Sequence, residues 1–130
     1  MKLMCTYLFA FVFIVASVPA SAAGAAQDRN VLRQQVHFER GRTSTVIKNT
    51  IRRGTTHEYL LAARGGQTMI VHLVAKQTSF TIYKPNGGAA IESADGVKDW
   101  EGSLPETGEY TITISTDARS APYTLEITIR

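Results

Sequence analysis

The sequence predicts an all-β fold, an antiparallel β-sandwich or jelly roll of seven to eight short strands. Apolar and polar residues alternate with a period of two along most of the chain after residue 35, as they do in half-buried strands. Clusters of glycine, proline and small polar residues interrupt this alternation at short intervals, and threonine and isoleucine fill much of it. No long stretch in this part of the chain has a helical period.

The first 22 residues have the composition of a secretory signal peptide. Lys2 is their only charged residue, an apolar run "LFAFVFIVASV" follows it, and the segment ends in an Ala-x-Ala site at residues 20–22. An uncleaved membrane anchor is the alternative, because about 20 apolar residues suffice to cross a bilayer. Pro19 and the small residues after it favour cleavage, after Ala22 or, as alternatives, after Ala25 or Ala26. We therefore expect a periplasmic or secreted protein.

The chain has one cysteine, Cys5, which lies within this leader. The exported chain is therefore predicted to have no thiol and no disulfide, so that its hydrophobic core alone must stabilise it. A domain of about 100 residues buries roughly two thirds of the surface that its unfolded chain exposes, which is sufficient for one compact unit. We expect residues 23–34 to form a short N-terminal tether and residues 35–130 to form a single β-sandwich domain.

Each predicted strand is identified by the residues that alternate toward one face. The run "TMIVHLVA" differs, because it is apolar on both faces and is predicted to be a central, buried strand. Turns are predicted between the strands at Gly41, "RRGTT", "RGGQ", "KPNGG", "LPETG" and "DARSAP". The expected inward-facing residues are, in chain order, Val36, Phe38, Ile47, Ile51, Tyr59, Leu61, Ala63, Phe80, Ile82, Tyr110, Ile112, Ile114, Tyr123, Leu125, Ile127 and Ile129.

The segment "DWEGSLPETGEYTITI" is predicted to form one corner of the sandwich. Pro105 presets a φ of about −65° for a turn, and Gly108 suits a positive φ that side chains resist. Tyr110 is then the first inward residue of the next strand. Trp100, the only tryptophan, is predicted to lie in the core beside this turn. The alternative is an exposed Trp100 that stacks on a sugar ring or on a partner.

The net charge of +3 is unevenly distributed along the chain. Residues 23–84 contain 10 basic and 3 acidic residues, whereas residues 85–130 contain 3 basic and 8 acidic residues. Strands from the two halves that interleave in space would average this asymmetry out; otherwise the fold has a basic face that attracts an anionic partner. Lys48, Arg52 and Arg53 also suit the protection of an edge strand. A nucleic-acid partner is not predicted, because the chain has no platform of basic and aromatic residues.

The sequence contains no recognisable catalytic or metal-binding motif, and we predict neither an enzyme nor a bound cofactor or metal. No nucleophile elbow is present. The three histidines have no metal-ligand spacing and no cysteine to join them. His72 is expected to form a hydrogen bond within or beside the sheet, and His57 is expected to be solvated. The loop "DGVKD" has two carboxylates but lacks the spacing of a calcium loop.

The run "FERGRTSTVIKNTIRRGTTHEYLLAARGGQTMIVHL" resembles the opening of the bacterial pre-peptidase C-terminal-like β-sandwich domain. Within that group, the chain is similar to the periplasmic inhibitors of goose-type lysozyme. The resemblance continues through "YKPNG", "WEGSLPETGEYTITI" and "YTLEITI", and so extends over about residues 36–130. The positions that carry the pattern in the first run are Phe38, Gly41, Ser44, Ile51, Tyr59, Ala63, Gly66 and Gln67.

This resemblance implies a protein–protein interface in which a basic loop enters the acidic substrate cleft of a lysozyme. In the inhibitors the arginine-bearing loop lies between the last two strands, and here that loop is "STDARSAP". Arg119 matches the arginine, and Asp117 lies on the same loop. Thr55, Thr56 and His57 on "RRGTTHE" are expected to support it. A guanidinium group pairs bidentately with a carboxylate, and a desolvated pair of this kind can dominate the affinity of an interface.

Two other functions remain open from the sequence. A binding module of the pre-peptidase type would attach to cell-wall glycan or to an envelope protein, with Trp100 and the tyrosines exposed as ligand contacts. A purely structural envelope component would need no such site. The expected state is a monomer or a weak dimer.

Overall fold

The computed structural model of the chain describes residues 30–130, which form two four-stranded β-sheets packed face to face. The strands are β1 (Val31–Gln35), β2 (Ser44–Arg52), β3 (Thr56–Ala63), β4 (Thr68–Val74), β5 (Thr78–Tyr83), β6 (Asp99–Ser103), β7 (Gly108–Thr116) and β8 (Ser120–Ile129). Their orders in the two sheets are β1-β3-β7-β5 and β2-β8-β4-β6, and a 3-10 turn, Glu92–Ala94, precedes β6. All neighbouring strands are antiparallel except β1 and β3, which are parallel. The predicted β-sandwich is therefore confirmed.

The first strand lies earlier in the chain than the sequence predicts. Residues 31–34, expected to belong to a tether, form most of β1, and the remaining tether residues up to 29 and the leader lie outside the described residues. Val36 and Phe38, expected in a strand, follow β1 instead; Val36 is buried, and its N–H donates to the carbonyl of Leu60 at 2.8 Å. Four of the five β1 residues are exposed. Because β1 is stabilised by backbone pairing rather than by burial, its side chains show no period of two.

The hydrophobic core lies between the two sheets and contains most of the predicted alternating residues; Phe38, Ile47 and Ile129 are only partly buried at its edge. The fully buried large side chains come from six of the eight strands and from the loop after β6, and they are Ile51, Tyr59, Leu61, Met69, Phe80, Ile82, Leu104, Tyr110, Ile112, Ile114, Leu125 and Ile127. β4 departs from its prediction as a strand buried on both faces. Its inward face is buried, but Val74 is 57 % exposed, and His72 is also exposed. The outer face of this sheet is therefore solvated.

The predicted corner around Trp100 is confirmed as part of the core. Trp100 is 9 % exposed, and its Nε1–H donates to Ser93 Oγ at 2.9 Å, which satisfies the one polar group of the indole. The indole lies over Gly102, where an added Cβ would come within 2.4 Å of the ring. Gly102 is therefore required by this close approach rather than by its backbone conformation.

The turn that follows is closed by a tyrosine. The Tyr110 hydroxyl donates to the carbonyl of Glu106 at 2.6 Å and accepts the N–H of the same residue at 3.0 Å. A tyrosine at the start of a strand performs the same function in immunoglobulin-like sandwiches. Gly108 has a φ of 154°, and an added Cβ would lie 2.6 Å from Pro85 Cβ. The motif "LPETGEY" therefore fixes the angle at which the chain enters β7.

The uneven charge of the sequence remains partly separated in the fold, although strands of the two halves do interleave. β1 and β2 are edge strands on the same side of the sandwich, where Leu32 and Thr50 line one cleft. Lys48 and Arg52 lie on this side. On the opposite side, the 3-10 turn packs between β5 and β6, near the carboxylates of Glu92 and Asp99. Lys48 and Arg52 are therefore separated in space from Glu92 and Asp99.

Candidate protein-binding site

Strand direction places three loops at one end of the sandwich. These loops are residues 53–55 between β2 and β3, residues 75–77 between β4 and β5, and residues 117–119 between β7 and β8. The register confirms their proximity, because Arg52 pairs with Ser120 and Thr78 pairs with Thr116. We refer to these three loops together as the loop end. It contains the predicted residues Thr55, Asp117 and Arg119, with Thr56 and His57 directly after it in β3.

The loops of Arg53 and Arg119 are joined by a backbone hydrogen bond. The Arg53 N–H donates to the Arg119 carbonyl at 3.2 Å. The 53–55 turn is closed internally: the Thr55 hydroxyl donates to the Arg52 carbonyl at 2.5 Å, and the Thr55 N–H donates to the same oxygen at 3.0 Å. Gly54 supplies the positive φ of 85° that the turn needs. The Thr55 hydroxyl therefore shapes the turn, and Thr55 is one of the residues predicted to support the site.

The 117–119 loop is braced from its other side by the 75–77 loop. The Asp117 N–H donates to the Gln77 carbonyl at 2.9 Å, and the Thr116 hydroxyl donates to the same carbonyl at 3.1 Å. The Ala118 N–H in turn donates to Thr116 Oγ1 at 3.1 Å. These contacts hold the backbone on both sides of Arg119. Its side chain can therefore bind a partner without a large loss of loop entropy.

The loop end presents more positive than negative side chains. Arg53, Lys76, Asp117 and Arg119 are all exposed. Within residues 30–130, none of these four side chains forms an ion pair. Three unpaired cations accompany one carboxylate, so the loop end attracts anionic groups. The two guanidinium groups are the donors best suited to bidentate carboxylate contacts.

His57 is buried, and the expectation that it is solvated is wrong. Its side chain is 7 % exposed and points between the sheets, where Nδ1 lies 2.7 Å from Tyr123 Oη. Tyr123 Oη lies 2.5 Å from Tyr59 Oη, so that the three groups form one buried chain. Burial lowers the pKa of His57. The pKa of Tyr123 is raised, chiefly by burial and secondly by its hydrogen bond with Tyr59. Burial therefore favours the neutral form of His57, which supports the start of β3 from inside rather than from the surface.

Thr56 and His72 have simpler surroundings. Thr56 is half-buried, opens β3 and lies opposite Val31 of β1. His72 lies on the outer face of its sheet, where its Nδ1 contacts Asp99 Oδ1 across to β6, as expected of a hydrogen bond beside the sheet. In the described part of the chain, no three His, Cys, Asp or Glu residues are grouped to hold a metal ion. No helix in that part is long and apolar enough to cross a membrane.

Sequence reasoning missed Arg53 and Lys76 as members of this site. The sequence indicates Arg53 only as protection for an edge strand, and it indicates no role for Lys76. Both residues come near Arg119 only because β2, β4 and β7 end on the same side of the sandwich. The available signal was the position of each basic residue in a turn that follows a strand. Its use would have required the strand order.

The opposite end of the sandwich contains a separate cavity of about 510 Å³. Arg42 and Arg64 lie at its edge, above Phe38 and Ile129. Arg42 Nε is paired with Glu39 Oε2 at 3.4 Å, which reduces the positive charge available there.

The burial of the aromatic residues contradicts the glycan-binding alternative in its predicted form. That alternative needs exposed rings, but Trp100, Tyr59, Tyr110 and Tyr123 are all buried. Of the tyrosines within residues 30–130, Tyr83 alone is exposed, at 40 %. One isolated ring on β5 does not form a stacking platform for a sugar.

Three solved structures that are similar to this chain are those of inhibitors of g-type lysozyme. The periplasmic inhibitor of g-type lysozyme PliG from Aeromonas hydrophila matches with 27 % identity and a TM-score of 0.68, over 78 % of this chain and 98 % of that one. PliG from Salmonella Typhimurium matches with 19 % identity and a TM-score of 0.64, over 76 % and 98 % of the two chains. A mutant of Escherichia coli PliG matches with 18 % identity and a TM-score of 0.64, over 78 % and 99 %.

The resemblance stated from the sequence is confirmed by these structures. The periplasmic location expected from the leader agrees with that of the Aeromonas hydrophila inhibitor. The Salmonella and Escherichia coli proteins, both under 25 % identical, establish the fold alone. No protein-family model and no curated protein sequence matches the chain.

Proposed function

We propose that this protein is a periplasmic inhibitor of g-type lysozyme and that the loop end inserts into the acidic substrate cleft of the enzyme. One observation carries the proposal: the chain is 27 % identical to Aeromonas hydrophila PliG, with a TM-score of 0.68 over nearly all of that inhibitor. The loop end supports it independently, because it offers exposed and unpaired cations on a braced backbone.

Arg119 is the proposed central contact, and Arg53 is its neighbour. A glycosidase cleft holds two carboxylates a few ångströms apart, and a guanidinium placed between them forms charge-assisted, bidentate hydrogen bonds. Such a contact occupies the position of the scissile bond and also binds the carboxyl group of the enzyme that would donate the proton. Lysozyme activity is then lost without any chemical change to the inhibitor.

The other predicted residues have lesser roles in this mechanism. Asp117 accepts hydrogen bonds from donors at the rim of the cleft and disfavours a partner surface that is acidic throughout. Thr55 shapes the turn that carries Arg53, Thr56 opens β3 directly after it, and His57 holds the start of β3 from the core. No step requires a cofactor or a metal. The similar solved proteins are inhibitors rather than enzymes, and we assign no catalytic activity to this chain.

The test is a titration of the protein, purified from the periplasm of an expression host, against the lysis of bacterial cells by a g-type lysozyme. We expect stoichiometric inhibition at micromolar concentrations or below. Arg119→Ala should weaken inhibition by about tenfold to a hundredfold, in the range of a hot-spot residue. Arg40→Ala is the matched control, because Arg40 is also exposed but lies at the opposite end of the sandwich.

Two results would contradict the proposal. One is a wild-type protein that fails to inhibit at micromolar excess, and the other is an Arg119→Ala variant that inhibits as well as the wild type. A c-type lysozyme assayed in parallel measures how selective the inhibition is.

A further inference from the structure

A groove lies on the outer face of the sheet that contains β2, β8 and β4, beside the loop end. Its volume is about 890 Å³. We refer to it as the outer groove and define it by the outward side chains Lys48, Thr50, Val74, Lys76, Pro122 and Thr124. The register places them together: Thr124 pairs with Lys48 on one side and with Val74 on the other, and Pro122 pairs with Thr50.

The floor of the outer groove is apolar and uncovered. Val74 is 57 % exposed, and Pro122 beside it is also exposed. Val46, which is 55 % exposed, lies two residues before Lys48 on the same face of β2. Within the described residues, these two valines are the most exposed of the large hydrophobic side chains. Val46 lies outside the groove and opposite Glu126, so that Val74 and Pro122 form its apolar floor. An apolar surface rimmed by polar residues is typical of a contact with another molecule.

The rim of the outer groove is basic. Lys48 and Lys76 lie on opposite sides of the floor, and no carboxylate lines the groove. Neither lysine forms an ion pair with any residue in the range 30–130. Along β8, the first outward carboxylate is that of Glu126, beyond Pro122 and Thr124. Two unpaired ammonium groups around an apolar floor are complementary to a surface that combines carboxylates with apolar atoms.

The outer groove is continuous with the loop end. Lys76 belongs to the 75–77 loop, and Ser120, which also lines the groove, directly follows Arg119. A partner that accepts Arg119 in a cleft therefore has its cleft rim over Pro122 and Val74. A partner of ordinary size buries about 800 Å² on each side of an interface, which is more than a few loop residues provide.

We infer that the outer groove is a second contact surface for the same lysozyme, and that it binds an acidic segment of the enzyme surface beside the substrate cleft. This inference rests on the proposed function. The groove suits a protein surface better than a glycan, because the one aromatic residue in its lining, Tyr123, has a buried side chain. Lys48 and Lys76 determine how fast and how selectively the enzyme binds, whereas Arg119 determines how completely the cleft is blocked.

The experiment measures the binding of the full protein to an immobilised g-type lysozyme by surface plasmon resonance. The test variant reverses both rim charges, Lys48→Glu with Lys76→Glu. The matched control reverses two exposed arginines at the opposite end, Arg40→Glu with Arg64→Glu, so that the net charge changes equally. Thermal unfolding by circular dichroism verifies that both variants fold.

We expect the rim variant to bind at least tenfold more weakly than the wild type, chiefly through slower association and with a weaker salt dependence. The control variant should stay within about threefold of the wild type, since it lies away from the groove. Val74→Asp, which places a carboxylate on the apolar floor, should weaken binding by a similar factor to the rim variant.

The possible failures are distinguishable. If wild type binds and Arg119→Ala weakens binding, but the rim variant matches the control variant, the groove inference is overturned and the proposed function stands. If the wild type does not bind the lysozyme, both the groove inference and the proposed function are overturned. If the rim variant loses binding to purified cell-wall glycan but retains lysozyme binding, the groove binds glycan, and the assignment to an enzyme surface is wrong.

Discussion

The Arg53 N–H donates to the carbonyl of Arg119 at 3.2 Å, although the two residues lie in different loops, each of which crosses from one sheet to the other. The bond sets the spacing of two exposed guanidinium groups through the backbone, so that neither side chain needs a partner within the molecule. In such a site the backbone is held in place, whereas the two charged side chains remain available to a partner. The following predictions test that arrangement and the fold that supports it.

Arg53 and Arg119 are expected to act on one partner site, and a double-mutant cycle tests this. Arg53→Ala keeps the backbone N–H and so removes the side chain alone. We expect it to raise the inhibition constant for g-type lysozyme by about tenfold. Combined with Arg119→Ala, the loss should differ from the sum of the two single losses by about 1 kcal/mol, as is usual for residues that share a partner. Strict additivity of the two losses would contradict a shared site.

Gly54→Ala is predicted to destabilise the protein and to displace Arg53. Gly54 has a φ of 85°, and an added Cβ would meet no atom within 4 Å. The cost is therefore backbone strain alone, about 1 kcal/mol in the free energy of unfolding measured with urea. Inhibition should weaken as well, because the turn carries the Arg53 N–H. Gly41→Ala, with a φ of 79° and equally open space, is the matched control: it should cost similar stability and leave inhibition unchanged.

Tyr110→Phe is predicted to destabilise the fold by about 1–3 kcal/mol. The hydroxyl both donates to and accepts from the backbone of Glu106, and the substitution leaves those two groups without this partner. The measurement is urea unfolding of the purified protein. Tyr83→Phe, at an exposed tyrosine, should change the free energy of unfolding by less than about 0.5 kcal/mol. Equal effects of the two substitutions would show that the corner does not depend on this hydroxyl.

The parts of the structure that local patterns predict are those in which burial alternates along one strand. β7 is an example, because Tyr110, Ile112 and Ile114 are buried and the residues between them are not. β1 could not be predicted in this way, since its pairing with β3 involves the backbone and leaves four of its five side chains exposed. β4 was predicted as buried on both faces because hydropathy does not reveal that Val74 lacks a covering layer.

The candidate site likewise contains residues that the sequence predicts and residues that only the structure identifies. The resemblance supplied Arg119, whose loop is defined by the two strands that flank it. It could not supply Arg53, which meets Arg119 only through the arrangement of strands from both sheets. His57 was placed on the surface because it follows a turn, and the period of β3 shows instead that it points inward. Its partner Tyr123 is distant in sequence, so that no local pattern indicates their contact.

The stability of the protein is predicted to fall as the pH is lowered below about 6.5, and His57 is a cause. Burial lowers the pKa of His57 in the folded state below its usual value of 6.5. Between the two pKa values the unfolded chain binds a proton that the folded chain does not, so acid favours unfolding. The groups that face His57 are Tyr123 and, through it, Tyr59, and no carboxylate is among them. The measurement is the free energy of unfolding at pH 7.5, 6.5 and 5.5.

His57→Gln is the comparison for this pH dependence. Glutamine can accept a hydrogen bond from Tyr123 but does not titrate in this range. The variant should therefore lose less stability than the wild type between pH 7.5 and pH 5.5, although its stability at pH 7.5 is lower. His72→Gln, which removes an exposed histidine on the outer face of the other sheet, is the matched control. Parallel pH profiles for the wild type and His57→Gln would assign the acid sensitivity to other groups.

The fluorescence of Trp100 distinguishes a structural tryptophan from a ligand contact. Because the indole is buried over Gly102 and its N–H is bonded to Ser93, we expect a blue-shifted emission maximum and little quenching by iodide. Unfolding in urea should shift the maximum to the red and restore the quenching. Addition of soluble cell-wall glycan should leave the folded spectrum unchanged. A glycan-dependent shift would place a sugar-binding surface at this corner. It would support the glycan-binding alternative, against which the burial of Trp100 argues.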